Sequence, residues 1–129
     1  MAGIYIHIPF CSQACSYCDF HFSTSLKTKK DVIGSIKKEL IMEKKYLKGA
    51  VIHTIYFGGG TPSLIDVQSI KSLITIIRKN FNLSTKVECT LEANPEDVTK
   101  SKIEQWWRIG VNRISLGIQS FRDDDLYYM

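Results

Sequence analysis

Cys11, Cys15 and Cys18 fall within eight residues in C-x₃-C-x₂-C spacing, while Cys89 stands alone far down the chain. The first ten residues have neither a basic start nor a continuous apolar run, so they do not read as a secretory signal. Without that context the cysteines read as metal-binding or redox-active rather than as a disulfide framework. Three clustered thiolates can hold three irons of a [4Fe-4S] cube, whereas an electron-transfer cluster normally takes four cysteines. The remaining iron is then an open coordination site, as in catalytic zinc centres that keep one position free. A ligand with an amine and a carboxylate could chelate it. Zinc is the competing metal, with Cys11, Cys15, Cys18 and His21 as a Cys₃His set. The third reading is a loop that merely happens to be cysteine-rich, and spacing alone leaves all three open.

Gly58-Gly59-Gly60-Thr61-Pro62 is the second feature with chemical content. Three glycines let a ligand approach the backbone closely and leave its carbonyl and N–H groups accessible. The run lacks the lysine of a P-loop and the spacing of G-x-G-x-x-G, so nothing marks it for phosphate. The structural alternative is a tight turn from strand to helix. Glu92 and Gln119 close the third and fourth strands on their polar faces. An acceptor and an amide there suit hydrogen bonds to ribose hydroxyls or an amine. Each alone is more often a strand-end residue satisfied by a neighbouring loop.

The elements that must position these residues alternate along the chain. Residues 3–8 form a strand with Ile4, Ile6 and Ile8 on one face and Tyr5 and His7 on the other, stopped by Pro9. Residues 28–47 read as a helix with a Thr28/Asp31 capping box and a stripe of Val32, Ile33, Ile36 and Leu40, with Gly49 placed as a C-cap. Residues 51–57 are a second strand. A helix over about 64–80 follows, burying Val67, Ile70, Leu73, Ile74 and Ile77. Residues 86–92 are a third strand, 99–109 a third helix ended by Gly110, and 112–119 a fourth strand.

Such alternation implies right-handed βαβ units and a parallel sheet. One strand face is apolar throughout: Ile4, Ile6, Ile8, Ile55, Phe57, Val87, Cys89, Leu91, Ile114, Leu116 and Ile118. The other carries Tyr5, His7, Thr54, Tyr56, Glu88, Thr90, Glu92, Arg113, Ser115 and Gln119. A doubly wound sheet would be apolar on both faces. The expectation is therefore an α/β fold: a parallel sheet curled as a partial (β/α) barrel, helices outside, polar lumen inside. A closed (β/α)₈ barrel takes about 250 residues, so four βα units are about half of one and the chain reads as a fragment. Cys89 points by parity at the helix layer and reads as core. The cysteine and glycine loops both lie at the C-terminal mouth, where active sites of such barrels sit. Residues 121–129 are too few for another helix and strand. The chain alone is thus expected to keep an open parallel edge, to be marginally stable and to associate.

Composition narrows the classes. Of 129 residues 44% are hydrophobic and 23% charged, which excludes wholesale disorder. No apolar stretch approaches the roughly 18–20 residues of a membrane helix. The net charge of +4 arises locally, from eight lysines in residues 27–48 against Asp31, Glu39 and Glu43. Such a run reads as a solvated helix face, and no basic stripe interleaved with aromatics marks nucleic-acid binding. A soluble, cytoplasmic chain is expected.

Taken together, Tyr5-Ile6-His7-Ile8-Pro9-Phe10-Cys11, C-x₃-C-x-Y-C, G-G-G-T-P, Leu91-Glu92-Ala93-Asn94-Pro95 and Ser115-Leu116-Gly117-Ile118-Gln119-Ser120-Phe121 carry a resemblance. The chain resembles the radical S-adenosylmethionine (SAM) family of oxygen-independent coproporphyrinogen III oxidases and their HemW-type relatives. The resemblance implies that Cys11, Cys15 and Cys18 ligate a [4Fe-4S] cluster. It implies that Tyr5, Tyr17, Gly59, Gly60, Thr61, Glu92 and Gln119 contact SAM. The cluster would pass an electron to SAM, and the resulting 5′-deoxyadenosyl radical would abstract hydrogen from a substrate. An electron-donor protein and a tetrapyrrole or haem are the partners it implies. The oxidases carry a further cysteine two residues after the third, where this chain has Phe20. Cys18-Asp19-Phe20 therefore resembles the HemW-type haem chaperones, with an oxygen-independent coproporphyrinogen III oxidase as the alternative and a zinc-stabilised, non-catalytic binding module as the third. Residues 1–129 would then be the N-terminal part of a radical SAM core domain, inactive alone because later strands and further SAM contacts would follow Met129.

Overall fold

The computed structural model describes residues 2–12 and 23–128. Four strands, β1 (Ala2–Ile8), β2 (Ile52–Gly59), β3 (Leu83–Ala93) and β4 (Arg113–Leu116), form one parallel sheet in the order β1-β2-β3-β4. They alternate with helices α1 (Lys29–Met42), α2 (Val67–Asn80), α3 (Lys100–Ile109) and α4 (Asp123–Tyr128). The α/β architecture is the expected one, and the sheet stays open, with β1 and β4 as its edges.

Period-2 patterning explains which face is covered. Ile6, Ile8, Ile55, Phe57, Cys89 and Leu91 are buried together with Ile33 of α1, Ile70, Leu73, Ile74 and Ile77 of α2, and Trp106 of α3. Residues of opposite parity align across the other face, Tyr5 beside Tyr56, Tyr56 beside Thr90 and Thr90 beside Arg113, with Glu92 beside Ser115. Cys89 lies in the core as parity predicts. Burial pushes its thiol up to about 11 against the opposing charge of Arg78, so it is held as the neutral thiol.

Local chemistry moved several boundaries. The helix expected over 28–47 stops at Met42 and continues only as a 3₁₀ turn, Glu43–Lys45. Its buried stripe ends at Leu40, and beyond it Ile41 and Met42 are exposed, so packing no longer sustains the helix. Thr28 does not cap it: with φ −91° and ψ 3° it lacks the extended backbone of an N-cap, and its side chain makes no cap bond. Asp66 and Thr99, both extended, do cap α2 and α3 by accepting from Ser69 N and Lys102 N. Gly49 lies in a later turn rather than capping α1, whereas Gly110 does end α3 in a left-handed cap. In β2 a register shift between Ile52 and Thr54 turns Ile52 into the core.

The fourth strand is shorter than predicted, four residues rather than 112–119. Gly117 N donates the last inter-strand bond, to Ala93 O at 3.0 Å. Ile118 N then bonds Leu116 O and Ser120 N bonds Ile118 O, three-residue turns that coil the chain. Leu116 and Ile118 consequently stay about two-fifths exposed, 43% and 42%, instead of joining the core. Gln119, expected at a strand end, sits in this coil at φ +68°. A short helix that the sequence reading did not anticipate, α4, follows with Asp123, Asp124 and Asp125 in its first turn, where negative charge suits the helix dipole.

At the other end of β4 a side chain takes the place of backbone. Asn112 Nδ2 donates to Val87 O at 2.9 Å, and Asn112 Oδ1 accepts from Cys89 N at 2.8 Å. Asn112 N adds a bond to Cys89 O at 3.0 Å. Replacing Asn112 by Ala should therefore loosen β4 from β3 and lower stability by about 1–2 kcal/mol. A urea unfolding midpoint unchanged from wild type would show that β4 does not depend on this clamp.

Candidate functional site

The site is assembled where the ladder between β1 and β2 runs on past both strands. Gly60 N donates to Ile8 O at 2.7 Å and Thr61 N to Phe10 O at 2.6 Å. The glycine loop is thereby laid against the segment that begins the cysteine loop. A Cβ on Gly60 would come within 2.5 Å of Phe10 O and 2.9 Å of Cys11 Sγ, so only glycine fits. The cysteine loop is also closed at its base: Ser23 N donates to Pro9 O at 2.7 Å, and Cys11 N to Ser23 O at 3.1 Å. Cys15, Tyr17, Cys18 and His21 lie outside the described residues.

Gly59, at φ +115°, is the second position that demands glycine. A Cβ there would meet the His7 ring at 2.8 Å and Ile8 O at 2.9 Å. The close approach foreseen for a ligand is thus made first by the chain upon itself. The freed backbone N–H of Gly59 donates to Glu92 Oε2 at 3.2 Å. The other oxygen, Glu92 Oε1, accepts from Tyr56 Oη at 2.7 Å. Glu92 is therefore held on the polar face at the end of β3 by two donors from β2.

Above these residues opens a cleft of about 550 Å³, within the size range of small-molecule sites. Cys11, Gly59, Gly60, Thr61, Glu92 and Gln119 all line it. Tyr5 does not. Its ring stacks on Tyr56 with centroids 6.0 Å apart, and its Oη is hydrogen-bonded to His7 Nδ1 at 3.1 Å. Tyr5 thus lies under Glu92, one step down the polar face. Asn94 and Ser115 line the cleft as well, although the sequence marks neither as a contact residue. Ser115 was legible from its place beside Glu92 on the polar face; Asn94 follows the last residue of β3 and had no periodic signal.

A carboxylate, an amide and loop backbone converge with a cysteine at one end of the sheet. The acceptors suit an amine or hydroxyls, and the thiol at the rim suits a metal. Of the three clustered cysteines, Cys11 is the one among the described residues, and its thiolate is of the kind that holds iron in a cluster. Among the described residues no group of three or more His, Cys, Asp or Glu is placed to hold a metal ion.

This geometry falls on a known sequence class. Residues 5–129 match the radical SAM superfamily, and the chain belongs to it. It is 40% identical to the haem chaperone HemW of Haemophilus influenzae, over 96% of this chain and 34% of that protein. It is likewise 40% identical to the haem chaperone HemW of Escherichia coli, over 96% of this chain and 33% of that protein. Among solved structures, coproporphyrinogen III oxidase (HemN) of Escherichia coli, a radical SAM enzyme, superposes with a TM-score of 0.84 at 26% identity, covering 95% of this chain and 29% of that one. The chain spans about a third of the length of the curated relatives it matches. The superfamily in general uses a [4Fe-4S] cluster and SAM. Among the described residues no helix is long and apolar enough to cross a membrane.

The paired tyrosines give the polar face a pH signature. The hydrogen bond to Glu92, and then burial, raise Tyr56 above its ordinary 10.0. Burial, then the charges of Glu92 and Tyr56, raise Tyr5. Both effects favour the neutral phenols in the folded chain. Their contribution is complete below pH 10 and is lost as pH rises through the folded values. Glu92→Ala should bring both titrations back towards 10.0 and reduce this alkaline sensitivity. Following tyrosinate absorbance against pH checks it; superimposable wild-type and variant curves would mean that Glu92 does not govern the pair.

Proposed function

We propose that this chain is the N-terminal part of a HemW-like radical SAM protein that handles haem in the cytoplasm. The observation that carries the reading is the convergence of Cys11, Gly59, Gly60, Thr61, Glu92 and Gln119 on one cleft at the C-terminal end of the sheet. In this reading Cys11, Cys15 and Cys18 would each hold one iron of a [4Fe-4S] cluster, and Glu92, Gln119 and the backbone of Gly59, Gly60 and Thr61 would meet the polar groups of SAM. Tyr17 would contact SAM from the cysteine loop, and Tyr5 would act indirectly, by stacking on the Tyr56 that holds Glu92. Such a cluster, if bound and reduced by an electron-donor protein, would supply the electron chemistry for cleaving SAM. The chain's own residues would orient the ligand, with Glu92 fixed in place by its two hydrogen bonds from Tyr56 Oη and Gly59 N.

Two observations favour haem handling over porphyrinogen oxidation. The chain is 40% identical to HemW proteins but 26% identical to the oxidase. Phe20 stands where the oxidases carry their further cysteine. The close superposition with the oxidase keeps tetrapyrrole oxidation as the second reading. Haem titration and a coproporphyrinogen decarboxylation assay on the protein that carries this chain separate them.

Anaerobic reconstitution tests the metal. Serine at any one of Cys11, Cys15 or Cys18 should greatly lower bound iron and sulfide, whereas Cys89→Ser, in the core, should leave both nearly unchanged. Iron lost equally on Cys89→Ser, or a colourless protein holding zinc, would overturn the assignment. Residues 1–129 alone should associate through the open β4 edge and yield no 5′-deoxyadenosine; a stable monomer that cleaves SAM repeatedly would contradict this.

A further inference from the structure

Beside the cleft runs a part-buried polar chain whose side chains, those of Ser63, Asp97 and Lys102, do not line it. Ser63, in the 3₁₀ turn Pro62–Leu64 after the glycine loop, is only 2% exposed. Its Oγ donates to Asp97 Oδ2 at 2.6 Å and accepts from Asn94 N at 3.4 Å. Asp97 Oδ1 is in turn held by Lys102 Nζ of α3 at 3.3 Å. Asn94 N belongs to the residue that follows β3 directly, and Asp97 ends the 3₁₀ turn Pro95–Asp97 beyond it.

One hydroxyl therefore joins the two loops that form most of the cleft: Gly59–Pro62 on one side and Glu92–Glu96 on the other. Among the described residues, the side-chain hydrogen bonds between these loops other than those of Glu92 both pass through Ser63. Losing the hydroxyl would take a partner from a part-buried carboxylate oxygen and from a backbone N–H, so the loops would shift or admit water. We propose that Ser63 and Asp97 are positioning residues that fix the width of the cleft, and with it the affinity for SAM, without contacting the ligand. This rests on the SAM reading above. Lys102 acts at one remove and, being partly exposed, contributes less.

The test compares Ser63→Ala and Asp97→Asn with Asp66→Ala in the reconstituted protein. Asp66→Ala removes the cap of α2 and lowers stability without touching the loop–loop bonds. Calorimetric titration with SAM should show Ser63→Ala weaker by about tenfold, the value of one such hydrogen bond. Asp97→Asn should be weaker in the same direction, while Asp66→Ala keeps wild-type affinity despite its lower melting temperature. Without SAM, amide exchange in residues 59–64 and 92–97 should accelerate in the Ser63 and Asp97 variants only, at unchanged iron content. Wild-type affinity and exchange in both staple variants would overturn the inference while leaving the SAM reading intact. Equal weakening in Asp66→Ala would reduce the effect to general destabilisation and overturn it too. A wild type that binds iron but not SAM would instead sink the underlying reading, a result the exchange data cannot mimic. If Ser63→Ala does not fold, Asp97→Asn carries the same comparison.

Discussion

Between Gly60 and Cys11 there is no room for a methyl group. The bond from Thr61 N to Phe10 O lies in the same place, so the glycine loop and the root of the cysteine loop are fixed to each other by direct backbone contact. Everything chemically interesting in the chain depends on that closeness. The β1–β2 ladder delivers the glycine loop beside Phe10 and Cys11 because parallel strands end at the same level of the sheet. Glycine at 60 lets the last bonds of that ladder form beyond the strands. Glu92 then completes the arrangement from β3, reaching back to Gly59 N and Tyr56 Oη.

The sheet explains why this one end is polar and open. Helices cover a single face, leaving tyrosines, carboxylates and hydroxyls in register across the other. Even half-buried, a carboxylate such as that of Glu92 loses hydration that hydrogen-bond donors must replace. Here both oxygens have a donor from the neighbouring strand. Those bonds stabilise the carboxylate and also aim it, which is what a site for amines or hydroxyls requires. The core on the far side is ordinary close packing, and Cys89 within it remains a neutral thiol.

Most of the architecture was legible because alternation with period two and helical stripes are strong signals in this chain. The buried set of α2, the parity of Cys89 and the one-sided polarity of β1 to β3 were all readable from residue type. The failures are local and have physical causes. Thr28 has the side chain of a cap but not the backbone angles, so residue type alone misled. Ile52 is buried through a register shift that no periodicity shows. The expected fourth strand ends early because three-residue turns after Leu116 coil the chain, and this placed Gln119 at the cleft by a route other than a strand end. Glycines 59 and 60 were foreseen as important, but the atoms they must avoid belong to His7, Ile8, Phe10 and Cys11, which sequence spacing cannot disclose. The hydroxyl of Ser63 was invisible for the same reason: its partners lie more than thirty residues away.

The central claim is that the cysteine loop and the cleft form one cofactor site. Its most direct test is electron paramagnetic resonance of the reduced, reconstituted protein with and without SAM. A cluster whose open iron faces the cleft should show a spectrum that shifts on adding SAM, and that shift should be lost in Gly60→Ala, where the two loops are forced apart. A reduced [4Fe-4S] spectrum indifferent to SAM in the wild type would contradict the account, because cluster and cleft would then be separate features of the chain.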